Sequence, residues 1–177
     1  MKLLIHICCA PCLIHPLEVL NLKGFKVFGL FYNPNIHPFL EYKQRKDALS
    51  NAGFDIDLIF PEYLPQEFFR AVNFKEDAPV RCLACWRLRL KKTAVIAKLN
   101  GFDYFTTTLL VSPYQDHQAL KRIGDEVSKE EEVKFCYLDF RPGFRKAHEE
   151  ARAKGLYMQK YCGCIYSEIE RYTKKDK

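Results

Sequence analysis

Residues Leu3 to Cys8 form a near-continuous apolar run, and a helix-like segment follows it from Leu13 to Leu22, after Pro11 and ending near Gly24. A strand buried on both faces reads this way, whereas a strand with one wet face alternates. The strand signal returns over Phe25 to Tyr32 and stops at Asn33-Pro34-Asn35, a turn by composition. A helical stretch from Phe39 to Ala52 closes at Gly53, and a further apolar strand from Phe54 to Phe60 closes at Pro61. Strand and helix alternating at this spacing point to βαβ units around a parallel sheet. Ligand sites in such sheets lie beyond the carboxyl ends of the strands. Cys8 and Cys9 fall at that end of the first strand.

From Cys82 to Asn100 the apolar residues Leu83, Trp86, Leu90, Ala94 and Ala97 recur at helical spacing, with Gly101 as the stop. Tyr104 to Val111 and Val133 to Phe140 read as two more strands, joined by a charged helix or loop from Lys121 to Glu132. Its Lys129-Glu130-Glu131-Glu132 run is a wet face. Phe144 to Lys154 reads as a helix ended by Gly155, and Cys162-Gly163-Cys164 precedes a short final helix. No repeat, linker or low-complexity segment divides the 177 residues. The expectation is one α/β domain over residues 1–177, with 172–177 a flexible basic tail.

With 48% hydrophobic residues, a chain of this length buries a core without disulfide staples. Its eight cysteines therefore need another explanation. A secreted disulfide framework requires an export signal. Lys2 ahead of Leu3–Leu13 imitates one, but His6 and Pro11 interrupt the run and no small-residue cleavage site follows. No stretch approaches the roughly 18 to 20 apolar residues of a spanning helix. The expectation is a cytoplasmic protein, away from membranes, whose thiols stay reduced. The formal charge of +6 points weakly to an anionic partner such as nucleic acid.

Thiolate is the ligand form of cysteine, and a helix N-terminus stabilises it through unpaired N–H groups and the macrodipole. Cys82 and Cys85 open a helix, and their spacing lets two sulfurs converge on one metal centre. Adjacent Cys8 and Cys9 can share a centre only where the strand gives way to a turn, which Ala10-Pro11 supplies. Cys8, Cys9, Cys82 and Cys85 together make four ligands, the number that a [4Fe–4S] cluster or a structural zinc takes. Cys12 either joins the metal site or merely starts the helix. Cys162 and Cys164 would close a small, strained disulfide ring, which suits a redox pair; a second metal or two surface thiols are the competing readings. Cys136 lies within a strand and reads as core.

His6 reads as a packed histidine in the buried strand, while His15 and His148 read as helical. Asp116, His117 and Tyr114 follow an apolar strand in a polar loop and are candidate acids, or simply solvated. A nucleotide-activating enzyme of this fold would carry a Gly-rich phosphate loop after the first strand, where this chain has Cys8-Cys9-Ala10-Pro11-Cys12. ATP-dependent chemistry is disfavoured.

Taken together, the chain resembles the QueH-type epoxyqueuosine reductases. The likeness runs through His6-Ile7-Cys8-Cys9-Ala10-Pro11-Cys12, Tyr32-Asn33-Pro34-Asn35-Ile36-His37-Pro38 with Glu41, Tyr42 and Arg45, and Arg81-Cys82-Leu83-Ala84-Cys85. It continues through Thr106-Thr107-Thr108-Leu109, Ser112-Pro113-Tyr114 and Tyr161-Cys162-Gly163-Cys164. The resemblance implies a Rossmann-like, HUP-type α/β fold with a metal site at the carboxyl ends of the strands. It also implies reduction of epoxyqueuosine to queuosine at the tRNA wobble position, with the oxygen lost as water. A [4Fe–4S] cluster is carried onto Cys8, Cys9, Cys82 and Cys85, a second mononuclear iron onto the neighbourhood of Cys12, and a redox-active pair onto Cys162 and Cys164.

The partners implied are a tRNA with epoxyqueuosine in its anticodon loop and an electron donor that the sequence does not identify. Bases of such a loop splay out and stack on aromatics, for which Phe31, Tyr32 and Tyr114 are candidates. Tyr32, Asn33, Asn35, Arg81, Arg141 and Arg145 are the candidate substrate and tRNA contacts, with Arg87 and Lys146 as further cations for phosphates. A zinc-stabilised nucleic-acid-binding module and another cysteine-dependent tRNA-modifying enzyme, such as a sulfur transferase, are the alternatives.

Overall fold

The computed structural model describes residues 1–173. Five parallel strands form its sheet: β1 (Lys2–His6), β2 (Lys26–Leu30), β3 (Leu58–Ile59), β4 (Tyr104–Thr107) and β5 (Lys134–Phe135), in spatial order β3-β2-β1-β4-β5. The central β1 is fully buried over Leu3–His6, which accounts for its unbroken apolar run. It pairs in register with β2 (Ile5 opposite Gly29) and with β4 (Ile5 opposite Thr106).

Helix α1 (Ala10–Leu22) joins β1 to β2, and α2 (Phe39–Ser50) lies between β2 and β3. After α3 (Pro65–Val72) the chain passes through α4 (Val80–Leu99) back to β4 on the other side of β1. Helix α5 (His117–Glu131) leads to β5, and α6 (Phe144–Ala153) and α7 (Ile165–Thr173) complete the fold. Right-handed crossovers place α1 and α2 on one face and α4 and α5 on the other, in keeping with the packing of α1 on α2 and α4 on α5. Strand order reverses between β1 and β4, so a crevice opens at their carboxyl ends. Among the described residues, no helix is long and apolar enough to cross a membrane.

Several elements differ from the sequence reading in extent. The strand expected over Tyr104–Val111 stops at Thr107, whose hydroxyl accepts from the Leu109 N–H at 3.1 Å and caps a 3-10 turn over Thr108–Val111. The two edge strands are only two residues long each. Cys136 consequently lies just past β5, half-buried, its N–H donating to the Phe105 carbonyl. The Lys121–Glu132 segment is helical and belongs to α5, which begins earlier, at His117. Helix α3 was not anticipated; Pro65 in its first turn, Glu67 behind it and the buried i, i+4 pair Phe68 and Val72 explain it. Tyr172 and Thr173, expected in a tail, belong to α7, and the rest of that segment, 174–177, lies outside the described residues.

Candidate metal and substrate site

Beyond His6 the β1 strand ends, and Cys9 becomes the extended N-cap of α1 with no side-chain capping bond. This break removes the opposite-face constraint of a regular strand, and the Cys8 and Cys9 sulfurs lie 3.8 Å apart. Cys12 sits in the first turn of α1, and the three sulfurs all lie within 4.8 Å of one another. Thr108, the first residue of the 3-10 turn after β4, receives the Cys8 N–H at 3.1 Å and donates its hydroxyl to the Cys8 sulfur at 3.3 Å. Gln159 Nε2 approaches the Cys9 sulfur at 3.0 Å and the Cys12 sulfur at 3.8 Å. Hydrogen bonds from Cys12 and Cys9 hold the Cys8 thiol well below the ordinary range. Burial pushes Cys9 up, and the bond to Cys8 pushes Cys12 up. The group sits at a helix N-terminus, which stabilises negative charge on a thiolate.

His6 supports this group from beneath. Its Nδ1 meets Thr107 Oγ1 at 2.9 Å, and its Nε2 faces the Tyr32 carbonyl at 3.1 Å and Asn33 Oδ1 at 3.2 Å. Burial, then the charge of Arg89, lowers its pKa to about 4, so the ring is neutral at physiological pH. Asn33 also donates to the Ile7 carbonyl at 2.8 Å. It laces β1 to the turn after β2 and is buried, as is Asn35.

Two further sulfurs meet near the start of α4: Cys85 and Cys164 share an apolar cluster with Phe68 and Val72. Burial pushes the Cys85 thiol up to about 12. The segment carrying Cys162 and Cys164 reaches this place because Arg45 holds it: Nη1 donates to the Cys162 carbonyl and Nη2 to the Tyr161 carbonyl, both at 3.0 Å. Arg45 is in turn paired with Glu41 at 2.7 Å, and Glu41 receives the Tyr157 hydroxyl at 2.6 Å. Gly163, at φ +137°, makes the turn between the two cysteines, and its carbonyl accepts from the His37 N–H at 2.8 Å. The structure brings the Cys8, Cys9 and Cys12 sulfurs together and packs Cys85 with Cys164.

One cavity of about 410 Å³ opens between the groups, with Cys8, Cys12, Arg45, Arg89 and Cys162 on its walls. Tyr114 stands at its rim, 84% exposed and edge-on to Phe144 at 6.0 Å. Lys160 and Arg171 also line it, and among the described residues neither has a carboxylate partner.

Other expected contacts lie elsewhere. Asp116 is the N-cap of α5, accepting from the Ala119 N–H at 2.9 Å, and the neighbouring His117 is buried with its Nε2 at the Ser112 carbonyl. Neither faces the cavity. Phe31 and Tyr32 are buried, the Tyr32 hydroxyl donating to Glu67 at 2.6 Å, so neither offers a stacking face. Arg81 is buried against Glu170 and the Glu76 carbonyl. On the surface, Arg141 is paired with Asp139, Arg145 with Glu149, Arg87 with Glu126 and Glu130, and Lys146 with Glu18. Sequence reasoning missed Gln159 and Arg89; the spacing of Arg89 four residues after Cys85 on one helix face was the available signal for the latter.

The family model described as Epoxyqueuosine reductase QueH matches residues 3–170. A protein of Dehalococcoides mccartyi named Epoxyqueuosine reductase QueH is 38% identical over 177 residues, covering 98% of this chain and 96% of its own. One of the same name from Thermotoga maritima is 34% identical, covering 97% and 92%. A solved structure described as a predicted subunit of tRNA methyltransferase from Methanocaldococcus jannaschii superposes with a TM-score of 0.52 at 9% identity, covering 86% of this chain and 76% of its own. That likeness is one of fold alone. Sequence matches across nearly the whole length place the chain in the epoxyqueuosine reductase QueH family.

Proposed function

We propose that this protein is a cytoplasmic single-domain oxidoreductase that reduces epoxyqueuosine at the tRNA wobble position to queuosine. The observation that carries the proposal is the Cys8, Cys9 and Cys12 group beside a cavity that Cys162 also lines, at the switch point of the sheet. Removing an epoxide oxygen as water takes two electrons and two protons, and leaves a carbon–carbon double bond. Two centres side by side suit that requirement.

The donor sets favour a particular distribution. A single tetrahedral ion with metal–sulfur bonds near 2.3 Å brings its thiolates to roughly 3.8 Å apart. The Cys8–Cys9 separation is 3.8 Å, and Cys12 lies within the same 4.8 Å compass. A cubane sits among four thiolates and holds them farther apart. Cys8, Cys9 and Cys12 therefore suit one iron, which leaves Cys82, Cys85, Cys162 and Cys164 for a [4Fe–4S] cluster. When bound, these groups supply single electrons and a Lewis acid for the departing oxygen.

The chain's own residues do the rest. Thr108 and Gln159 orient the sulfurs of the Cys8 group, and Arg45 fixes the Cys162 segment. Tyr114 offers a face on which a splayed anticodon base stacks, and Lys160 and Arg171 meet phosphates.

Anaerobic iron and sulfide analysis tests the assignment. The expected content is about five irons and four sulfides. Cys12→Ser lowers the iron by about one and leaves the sulfide, whereas Cys162→Ala bleaches the cluster. Stoichiometric zinc without sulfide contradicts the assignment. An intact cluster in Cys162→Ala returns Cys162 and Cys164 to the role of a redox pair.

A further inference from the structure

Arg89 lies within α4, one turn after Cys85, and is 1% exposed. Its Nε points to the Cys85 carbonyl at 3.4 Å, and its Nη2 has no hydrogen-bond partner. The other buried arginines each have a carboxylate, Arg45 that of Glu41 and Arg81 that of Glu170. Among the described residues Arg89 has none. A guanidinium does not shed its charge, and a buried charge without compensation is strongly destabilising. Arg89 follows Cys85 by one turn of α4 and lines the cavity whose walls also carry Cys8, Cys12 and Cys162, so the sulfurs around it come from both groups. His6, the nearby imidazole, is neutral.

We propose that Arg89 is the fixed positive charge that balances both sulfur groups and raises the reduction potential of the centres they hold. The inference rests on the preceding reading that these groups bind iron. A buried cation stabilises the reduced, more negative state of a thiolate-bound centre over the oxidised one. Arg89 acts through the centres and is a positioning residue. It serves the reaction by letting a donor of ordinary potential load electrons into a site otherwise crowded with thiolates.

The test uses anaerobically loaded wild-type protein, Arg89→Lys and Arg89→Met, titrated spectroelectrochemically and followed by the paramagnetic signal of the reduced cluster. For Arg89→Met the ratio of reduced to oxidised centre at fixed poise falls more than tenfold, equivalent to a shift of about 59 mV for one electron. Arg89→Lys keeps the charge and shifts less. A ratio for Arg89→Met within threefold of wild type overturns the proposal. Where Arg89→Met takes up no iron, circular dichroism of the metal-free protein decides. A folded chain unable to hold iron supports the charge-balancing role, and a chain that does not fold overturns it by making Arg89 a core residue. Wild-type protein without iron or sulfide sinks the metal reading itself, whereas iron-replete wild type beside an unshifted Arg89→Met sinks only the role of Arg89.

Discussion

Replacing Arg45 by Met tests how the distant Cys162 segment is held at the site. The side chain is 1% exposed and makes three bonds at once: to Glu41 at 2.7 Å and to the carbonyls of Tyr161 and Cys162 at 3.0 Å each. Methionine preserves much of the apolar volume, so the loss is mainly electrostatic. Breaking a buried pair by removing one partner costs about 3–5 kcal/mol, because the remaining charge is left uncompensated. Glu41 keeps the Tyr157 hydroxyl, and the two carbonyls reach water once the segment loosens, so the lower end of that range, about 3 kcal/mol, is expected. Urea unfolding of reduced, metal-free protein measures the stability. Tryptic cleavage after the exposed Lys160 reports on the segment and should accelerate well before global unfolding. The double variant with Glu41→Leu should recover part of the lost stability, since no buried charge is then stranded. A loss below about 1 kcal/mol for Arg45→Met with unchanged cleavage at Lys160 would refute the argument.

Asp116→Ala should cost about 1 kcal/mol in urea unfolding through loss of the α5 cap, with turnover unchanged; a collapse of turnover at normal stability would restore Asp116 as an acid. Gly124→Ala places a Cβ about 2.2 Å from the Phe135 ring, so overpacking of roughly 1–3 kcal/mol should appear in the same assay, and a neutral result would mean that the α5–β5 contact is looser than described. Changing Lys160 and Arg171 together to Glu should weaken tRNA binding and flatten its logarithmic salt dependence by about 0.7 per lost contact. An unaltered slope would place the phosphates elsewhere.

The sheet and the Cys8–Cys9 turn were legible because buried parallel strands leave unbroken apolar runs, and Pro11 marks where β1 has to stop. Cys82 and Cys85 at a helix start were legible for the same local reason. The grouping of sulfurs was not. Cys162 and Cys164 arrive beside Cys85 through Arg45 on α2 and through the His37 N–H, contacts made across more than a hundred residues with no local periodicity. The ion pairs of the surface arginines were not legible, because charge shows in sequence while its partner does not; Arg141 pairs with Asp139 and Arg145 with Glu149. For Arg89 the sequence carries only its spacing from Cys85, and burial without a carboxylate is what reveals its demand for negative charge.

Single-turnover reaction of the reduced, iron-loaded protein with tRNA bearing epoxyqueuosine, followed by nucleoside mass analysis, tests the central claim most directly. The account predicts conversion to queuosine with loss of one oxygen, faster in whole tRNA or an anticodon stem-loop than in the free nucleoside, and abolished by Cys85→Ser. Epoxyqueuosine recovered unchanged from fully loaded, fully reduced protein would contradict it.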